Sequence, residues 1–390
     1  MASYRYLVAD ILTNTVQAEL PLTAVQWSRS LNEPGQASGS MLLSDPKVRY
    51  FGSTGTDPIE TATRPAMNAL YIERDGTIVW GGIIWSRSYN SDSQTVTIGA
   101  RTFESFYERR RAYIDNAYDP ATTDVLGLVS ALLTHCNNSG TDPYYTAGID
   151  LTQIGTAGIN IPSVYALASY EGRTYLSHIQ DLAAQAAPYG FDFSIEYGYS
   201  NTGELSRTFR CWYPKKGSDV STSSFYPALE FPGSMLGYNF DEDGRGMIEE
   251  LTAFGPGTTE GQYRVALSSP VGGFPRLDDV VTYQQVLDPG VVDKMAASYL
   301  AARNAPVATI TAVWSPTGAQ PVQPVGDLPT RSIGPDFSEF AVGDQFLIRI
   351  LDDRFPNGFV TTQRLANFTV SVGDGDGPEI INGTFVDPTY

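Results

Sequence analysis

The dipeptide Asp75-Gly76 constrains this chain more than any other feature. A tight hairpin turn needs positive φ at its centre, and Asp-Gly is among the few pairs that supply it cheaply. The flanks agree. Leu70–Glu73 is a short run of strand formers, and Ile78–Trp85 is the expected return strand. Gly81-Gly82 in the middle of that strand marks a bulge or a close backbone approach, because glycine packs nothing and bends freely. Asn90–Ser93 carries turn chemistry. In Thr95–Arg101, Thr95 and Thr97 alternate with Val96 and Ile98, the period of a third strand. The stretch is therefore read as an antiparallel meander that runs into an aromatic and basic segment, Phe103–Arg111.

The residues before it extend the β pattern. Strands are expected at Tyr4–Asp10, Thr15–Leu20, Thr23–Asn32 and Gln36–Leu43, with Pro34-Gly35 as a turn. Residues 44–64, broken by Asp45-Pro46 and Asp57-Pro58, read as a loop with little regular structure. Together these give a first β unit over residues 1–111.

The texture changes over residues 112–228. Val125, Leu128, Val129 and Leu132 fall on one helical face within 123–134, and Leu176, Ile179, Leu182, Ala183 and Ala186 do so within 173–187. Pro188 and Gly190 stop the second helix. Phe191–Tyr197 and Arg207–Tyr213 then alternate as a hairpin, so this unit is α/β. From residue 229 to 390 the β pattern returns, with strands expected at 237–241, 247–255, 262–267, 309–314, 343–350, 359–372 and 379–386. One helix, 289–304, interrupts them. Residues 315–337 form a Pro- and Gly-rich loop too long to be idle in a compact domain.

Two elements carry a family resemblance. Val25–Gly39, with its Leu31-Asn32-Glu33-Pro34-Gly35 turn, is followed by Ile72–Ile83, with its Arg74-Asp75-Gly76 turn and Trp80-Gly81-Gly82 return strand. Their order and spacing resemble the N-terminal domain of siphophage tail-hub proteins, the minor tail proteins of actinobacterial phages. The later helix, hairpin and second β unit resemble the rest of that family loosely. The resemblance implies a mainly β, β-rich α+β fold, with two barrel-like domains of tail-tube or hub type (1–111 and 229–390) around an α/β insert (112–228). It further implies a homotrimer whose six barrel-like domains form a pseudo-sixfold ring joining tail tube to tail tip in the virion. The expected partners are other copies of the chain, the distal tail protein, the tape measure protein and other tail-tip proteins, with DNA passing through the channel only in transit. Some homologues continue into a cell-wall-degrading or receptor-binding extension, for which the chain leaves no room after Tyr390.

Chemistry is sparse. Only His135 and His178 are histidines, and adjacent His135-Cys136 on a helix point about 100° apart, which suits packing better than shared metal ligation. Cys136 and Cys211 make no disulfide framework and are expected reduced. Asp241-Glu242-Asp243-Gly244 and Gly373–Gly377 resemble fragments of calcium loops, but neither has the full ligand spacing, and both are read as turns. Tyr144, Tyr145, Tyr197 and Tyr199 could stack on sugars and are read as packing residues. No nucleophile elbow or phosphate loop occurs. The expectation is a structural protein that is not an enzyme and has no catalytic, cofactor or metal site. A cell-wall-degrading tail enzyme and a peripheral receptor- or carbohydrate-binding tail protein are the alternatives.

The net charge of −18, with 43 acidic and 25 basic residues, excludes wrapping nucleic acid, since phosphates must be neutralised by Lys and Arg. It fits either plain solubility or a channel that repels DNA in passage. In the second case acid should line the channel, with Arg109, Arg110 and Arg111 at subunit contacts or outside. No signal peptide and no apolar run long enough to span a membrane is present, so a soluble protein made in a cytoplasm is expected.

Overall fold

The computed structural model describes residues 2–51, 58–138, 146–185, 187–219, 228–257, 260–316, 335–337, 339–373 and 377–387. Tyr144, Tyr145, most of the 315–337 loop and Asp374–Asp376 lie outside them.

The N-terminal strands are β1 (Tyr4–Asp10), β2 (Val16–Glu19), β3 (Thr23–Ser30), β4 (Gln36–Leu42), β5 (Arg49–Tyr50), β6 (Asn68–Arg74), β7 (Thr77–Asn90) and β8 (Thr95–Thr102). A short helix α1 (Pro58–Ala62) precedes β6, and α2 (Glu104–Arg109) follows β8. The expected meander is β6–β7–β8, antiparallel throughout. Asp75 and Gly76 sit at φ 50° and 82°, the conformation the turn requires. Gly81 and Gly82 mark close approach. A Cβ on Gly81 would stand 2.7 Å from the Tyr197 ring, and one on Gly82 would stand 2.3 Å from the Arg101 carbonyl. The register breaks lie beside them, opposite Ile72/Glu73 and at Ile84/Ser86. Residues 44–64 are less bare than expected, since β5 and α1 fall there.

The central part holds β9 (Asn116–Tyr118), α3 (Val125–Asn138), β10 (Asp150–Gln153), β11 (Tyr165–Leu167), α4 (Tyr175–Ala183), β12 (Asp192–Tyr199) and β13 (Leu205–Trp212). Thr174 caps α4 by accepting from the Ser177 amide. Then come β14 (Leu229–Phe231), β15 (Met235–Asp243), β16 (Glu250–Phe254), β17 (Arg264–Ser268), β18 (Asp278–Thr282), α5 (Pro289–Ala301), β19 (Val307–Trp314), β20 (Gln345–Ile350), β21 (Phe359–Ser371) and β22 (Ile380–Val386). Asp288 caps α5, and Pro289 opens its first turn.

The mainly β class holds, but the two barrel-like units are not closed barrels. They merge into one 14-stranded sheet of order β15-β19-β22-β21-β3-β4-β8-β7-β6-β1-β2-β5, with β14 and β20 branching from β21. The physical reason is the 13-residue length of β21. Its first half pairs with β20, and its second half pairs with β22 on one side and β3 on the other, Asn367 opposite Ser30 and Ser371 opposite Gln26. A strand that shares both edges this way cannot end one barrel and start another. At the far side, β14 pairs with β20 and β15 with β19, with no ladder between β14 and β15 among the described residues.

Alternation along these strands fills two cores. Val8, Leu70 and Trp80 face Trp27, Trp314, Phe346 and Phe385. Leu7, Tyr71 and Phe103 face the other way, onto α3, α4 and β12–β13. The β1 and β6 strands are thus buried on both sides, as continuous apolar runs require. The small β17-β16-β18 sheet with α5 joins the second core through Leu251, Ala253, Val292 and Met295. Among the described residues no helix is long and apolar enough to cross a membrane.

Candidate assembly junction

The central strands β12 and β13 are fastened to the large sheet by polar side chains. Asn32, in the turn between β3 and β4, takes φ 61°, which asparagine tolerates better than most side chains. Its amide then behaves like one more peptide unit of β12. Asn32 Oδ1 accepts from the Phe193 amide at 2.7 Å, and Nδ2 donates to Asp192 Oδ1 at 3.0 Å. Gly35 closes the same turn, where a Cβ would fall 2.2 Å from the Ser28 carbonyl oxygen. The Leu-Asn-x-Pro-Gly element is therefore a clamp as well as a turn.

Asp192 is the centre of a buried cluster. Its Oδ2 accepts from the Lys216 amide at 2.7 Å and from Arg364 of β21. The Arg364 guanidinium also donates to the Lys216 and Gly343 carbonyls, at 3.0 and 3.1 Å. Lys216 Nζ donates to Ser194 Oγ at 3.0 Å and reaches Glu196 at 3.5 Å. Burial, with the Arg29 charge adding to it, pushes the Lys216 ammonium down to about 8. Glu104 of α2 accepts from the Ile195 amide at 2.7 Å, and burial holds its carboxyl above the usual range. Three separated parts of the chain thus meet at β12.

A second fastening is Arg207 of β13, which is 2% exposed. Its guanidinium donates to the Ile11 carbonyl at 2.6 Å, the Tyr71 hydroxyl at 3.2 Å and the Gly148 carbonyl at 3.3 Å, and it lies 4.3 Å from the Phe103 ring centroid. Carbonyl dipoles and a ring face, rather than a carboxylate, solvate this charge. Strand alternation places Arg207 on the same face as Leu205 and Phe209, and that phase was the available signal for its burial. Sequence reasoning missed it, as it missed Asp192, Lys216 and Arg364.

The residues singled out from the sequence fall elsewhere. His135 Nδ1 and the Tyr175 hydroxyl lie 2.6 Å apart, and His178 Nδ1 lies 2.8 Å from the Tyr165 hydroxyl. Burial lowers the His178 imidazole, pushes the Cys136 thiol up to about 12 and raises that of Cys211. Cys136 is buried and Cys211 half-buried. The Tyr197 hydroxyl accepts from the Phe103 amide and its ring packs against Tyr71 and Phe103, whereas Tyr199 is 40% exposed with its hydroxyl donating to Glu73. Asp241 and Asp243 lie within β15, and Arg245 engages Asp243. Among the described residues no three His, Cys, Asp or Glu side chains group as a metal site. Within the arginine run Arg109 and Arg111 are exposed and Arg110 is half-buried. Arg109 lies over Trp85, Arg110 donates to the Cys136 carbonyl and Arg111 to the Gly172 carbonyl, so Arg110 and Arg111 tie the β8–α2 corner to α3 and to the segment before α4.

No protein-family model matches the sequence, and neither does any curated protein. Solved structures do match. A 43 kDa prophage tail protein from Shewanella oneidensis superposes with a TM-score of 0.54 at 11% identity, over 98% of each chain. A tail protein from Neisseria meningitidis gives 0.54 at 13%, over 99% of this chain and 96% of that one. A prophage tail protein from Listeria monocytogenes gives 0.51 at 13%, over 97% and 94%. The fold is that of these tail proteins, along essentially the whole chain.

Proposed function

We infer that the protein is a structural, non-enzymatic component of a long-tailed phage virion, a tail hub joining the tail tube to the tail tip. The observation that carries this reading is the whole-length fold shared with three tail proteins. The strand edges left over support it. Among the described residues, the outer sides of β5, β14 and β15 end the large sheet, and β17 and β18 end the small one. Open edges in a stable protein call for a neighbour or a cover. In this proposal residues 1–111 and 229–390 are the two ring-forming units, 112–228 is the insert held against them, and three copies close a pseudo-sixfold ring. Neighbours are the distal tail protein, the tape measure protein and other tail-tip proteins. DNA crosses the ring without binding, helped by the −18 charge of each chain.

Analytical ultracentrifugation of the purified chain, followed by cryo-EM of the virion tail tip, tests the proposal. A trimer at the end of the tail tube with an acidic channel wall is expected. A monomer absent from the tail would overturn it, and a neutral or basic wall would remove the role given to charge.

A further inference from the structure

The nine-residue strand β15 pairs on one side only among the described residues, with β19. On its other side β20 stops short. Phe231 opposite Ile350 is the last pair of β14 with β20, and the Leu351 amide donates to the Phe231 carbonyl. The chain then turns through residues 351–358 to begin β21, and the outer edge of β15 runs on past that turn. A groove of about 500 Å³ lies there, lined in unbroken succession by Leu236–Phe240, with Phe231, Asp352 and Arg354 as the facing wall. Successive side chains of a strand point to opposite faces, so an unbroken succession marks a groove along the edge rather than a hollow in a face. A Cβ on Gly237 would meet nothing within 4 Å. Among the described residues, no backbone hydrogen bond outside the β15–β19 ladder uses residues 236–243. The facing wall is held in place, since the Tyr238 hydroxyl donates to Asp352 and the Phe240 ring packs on Phe355 and Phe359.

An open edge offers N–H and C=O groups at the spacing of another strand. A groove beside it suits strand addition, in which main-chain bonds give affinity and side chains give selectivity. Here the selectivity is electrostatic. Asp241, Glu242 and Asp243 end the strand, and Asp352 and Asp353 stand in the facing turn, with only Arg245 and Arg354 among them as cations. Arg245 is spent on Asp243, and Glu242 is exposed. A second β15 edge would set the same acids against these, and the β18 edge would bring Asp278 and Asp279. The complement is a basic strand. We propose that the groove takes an extended segment of a different protein, added as a strand to β15, with apolar residues along Leu236–Phe240 and a lysine or arginine at the Glu242 end. This deepens the tail reading by giving one open edge its occupant. It is tested on the isolated chain, so its failure leaves trimer formation and position in the tail to their own experiment.

The test is hydrogen–deuterium exchange of the full chain, titrated with a peptide of alternating valine and threonine that matches β15 in length and carries a lysine at each end. The peptide slows exchange over residues 235–243. The same peptide with a glutamate at each end binds at least about fivefold more weakly at low salt, and the gap closes near 1 M salt, where charges are screened beyond about 3 Å. E242K, at an exposed position, narrows the gap between the two peptides. A lysine peptide with its backbone amides N-methylated, which lacks the main-chain donors, leaves the segment unprotected. No protection over 235–243, equal binding of the lysine and glutamate peptides, or protection by the N-methylated peptide would overturn the proposal. Protection that grows with the concentration of the chain alone would also overturn it, by showing that a second copy fills the edge.

Discussion

Arg74 and Glu379, 305 residues apart in sequence, face each other as a two-toothed fork, Nε to Oε1 at 2.7 Å and NH2 to Oε2 at 2.9 Å. Arg74 closes β6 at the Asp75-Gly76 turn, and Glu379 immediately precedes β22. The Tyr4 hydroxyl donates to the same carboxylate, and the guanidinium lies 4.8 Å from the Phe337 ring centroid. Both side chains are largely buried, at 11% and 5% exposed. Replacing Arg74 alone by Met strands a buried carboxylate and is expected to cost about 3–5 kcal/mol, whereas R74M/E379M loses much less. Urea unfolding of the four members of the cycle measures this. Additive losses would show that the two groups act independently.

The Asn32 clamp combines a backbone and a side-chain role, and two substitutions separate them. N32A loses both the hydrogen bonds to β12 and the tolerance of φ 61°, for a loss of about 2–4 kcal/mol. N32G keeps the backbone freedom and loses only the hydrogen bonds, so it unfolds at a higher urea concentration than N32A. The reverse order would remove the backbone role.

Lys216 predicts a pH dependence of definite sign. Its folded value of about 8 lies below the ordinary 10.5, so between those values the unfolded chain binds more protons. The Lys216 contribution to stability therefore rises with pH across that window, and below it the full penalty of a buried ammonium remains, roughly 3 kcal/mol. Tyrosines and cysteines with raised values act in the opposite sense, so the readout is the difference between wild type and K216M. K216M gains relative to wild type near pH 7, and the gap narrows toward pH 10. A gap independent of pH would place the effect in packing rather than charge.

Gly81→Ala puts a methyl against the Tyr197 and Tyr71 rings, at 2.7 and 2.9 Å, and is expected to lower stability by about 1–3 kcal/mol through overpacking. Gly76→Asn, where nothing stands within 4 Å and φ is 82°, is expected to cost under about 1 kcal/mol. Thermal unfolding of the two variants compares them directly, and equal losses would mean that Gly81 is needed for something other than room.

Local chemistry made part of this legible. Asp75-Gly76 declares its own turn, and the apolar stripes of α3, α4 and α5 declare their helices, because each signal lies within a few residues. The union of the two β units was not legible. Asn367 and Ser30 pair across the whole chain, and neither residue marks its partner. The β18 strand was missed because Asp278, Val280 and Thr282 face solvent and blur the strand pattern. The junction was missed for the opposite reason. Lys216, Arg364 and Arg207 look like surface residues in sequence, and only the tertiary fold supplies the carbonyls and carboxylates that let them be buried.

The β21–β3 ladder also sets a clock on synthesis. After β3 leaves the ribosome, roughly 330 further residues must be made before Phe359–Ser371 can cover its edge. At about 5–20 residues per second, that edge stays open for roughly 15 to 65 seconds. Through that interval the nascent chain carries Trp27 without its C-terminal cover, and translation speed or a holding chaperone bears directly on the yield of folded protein.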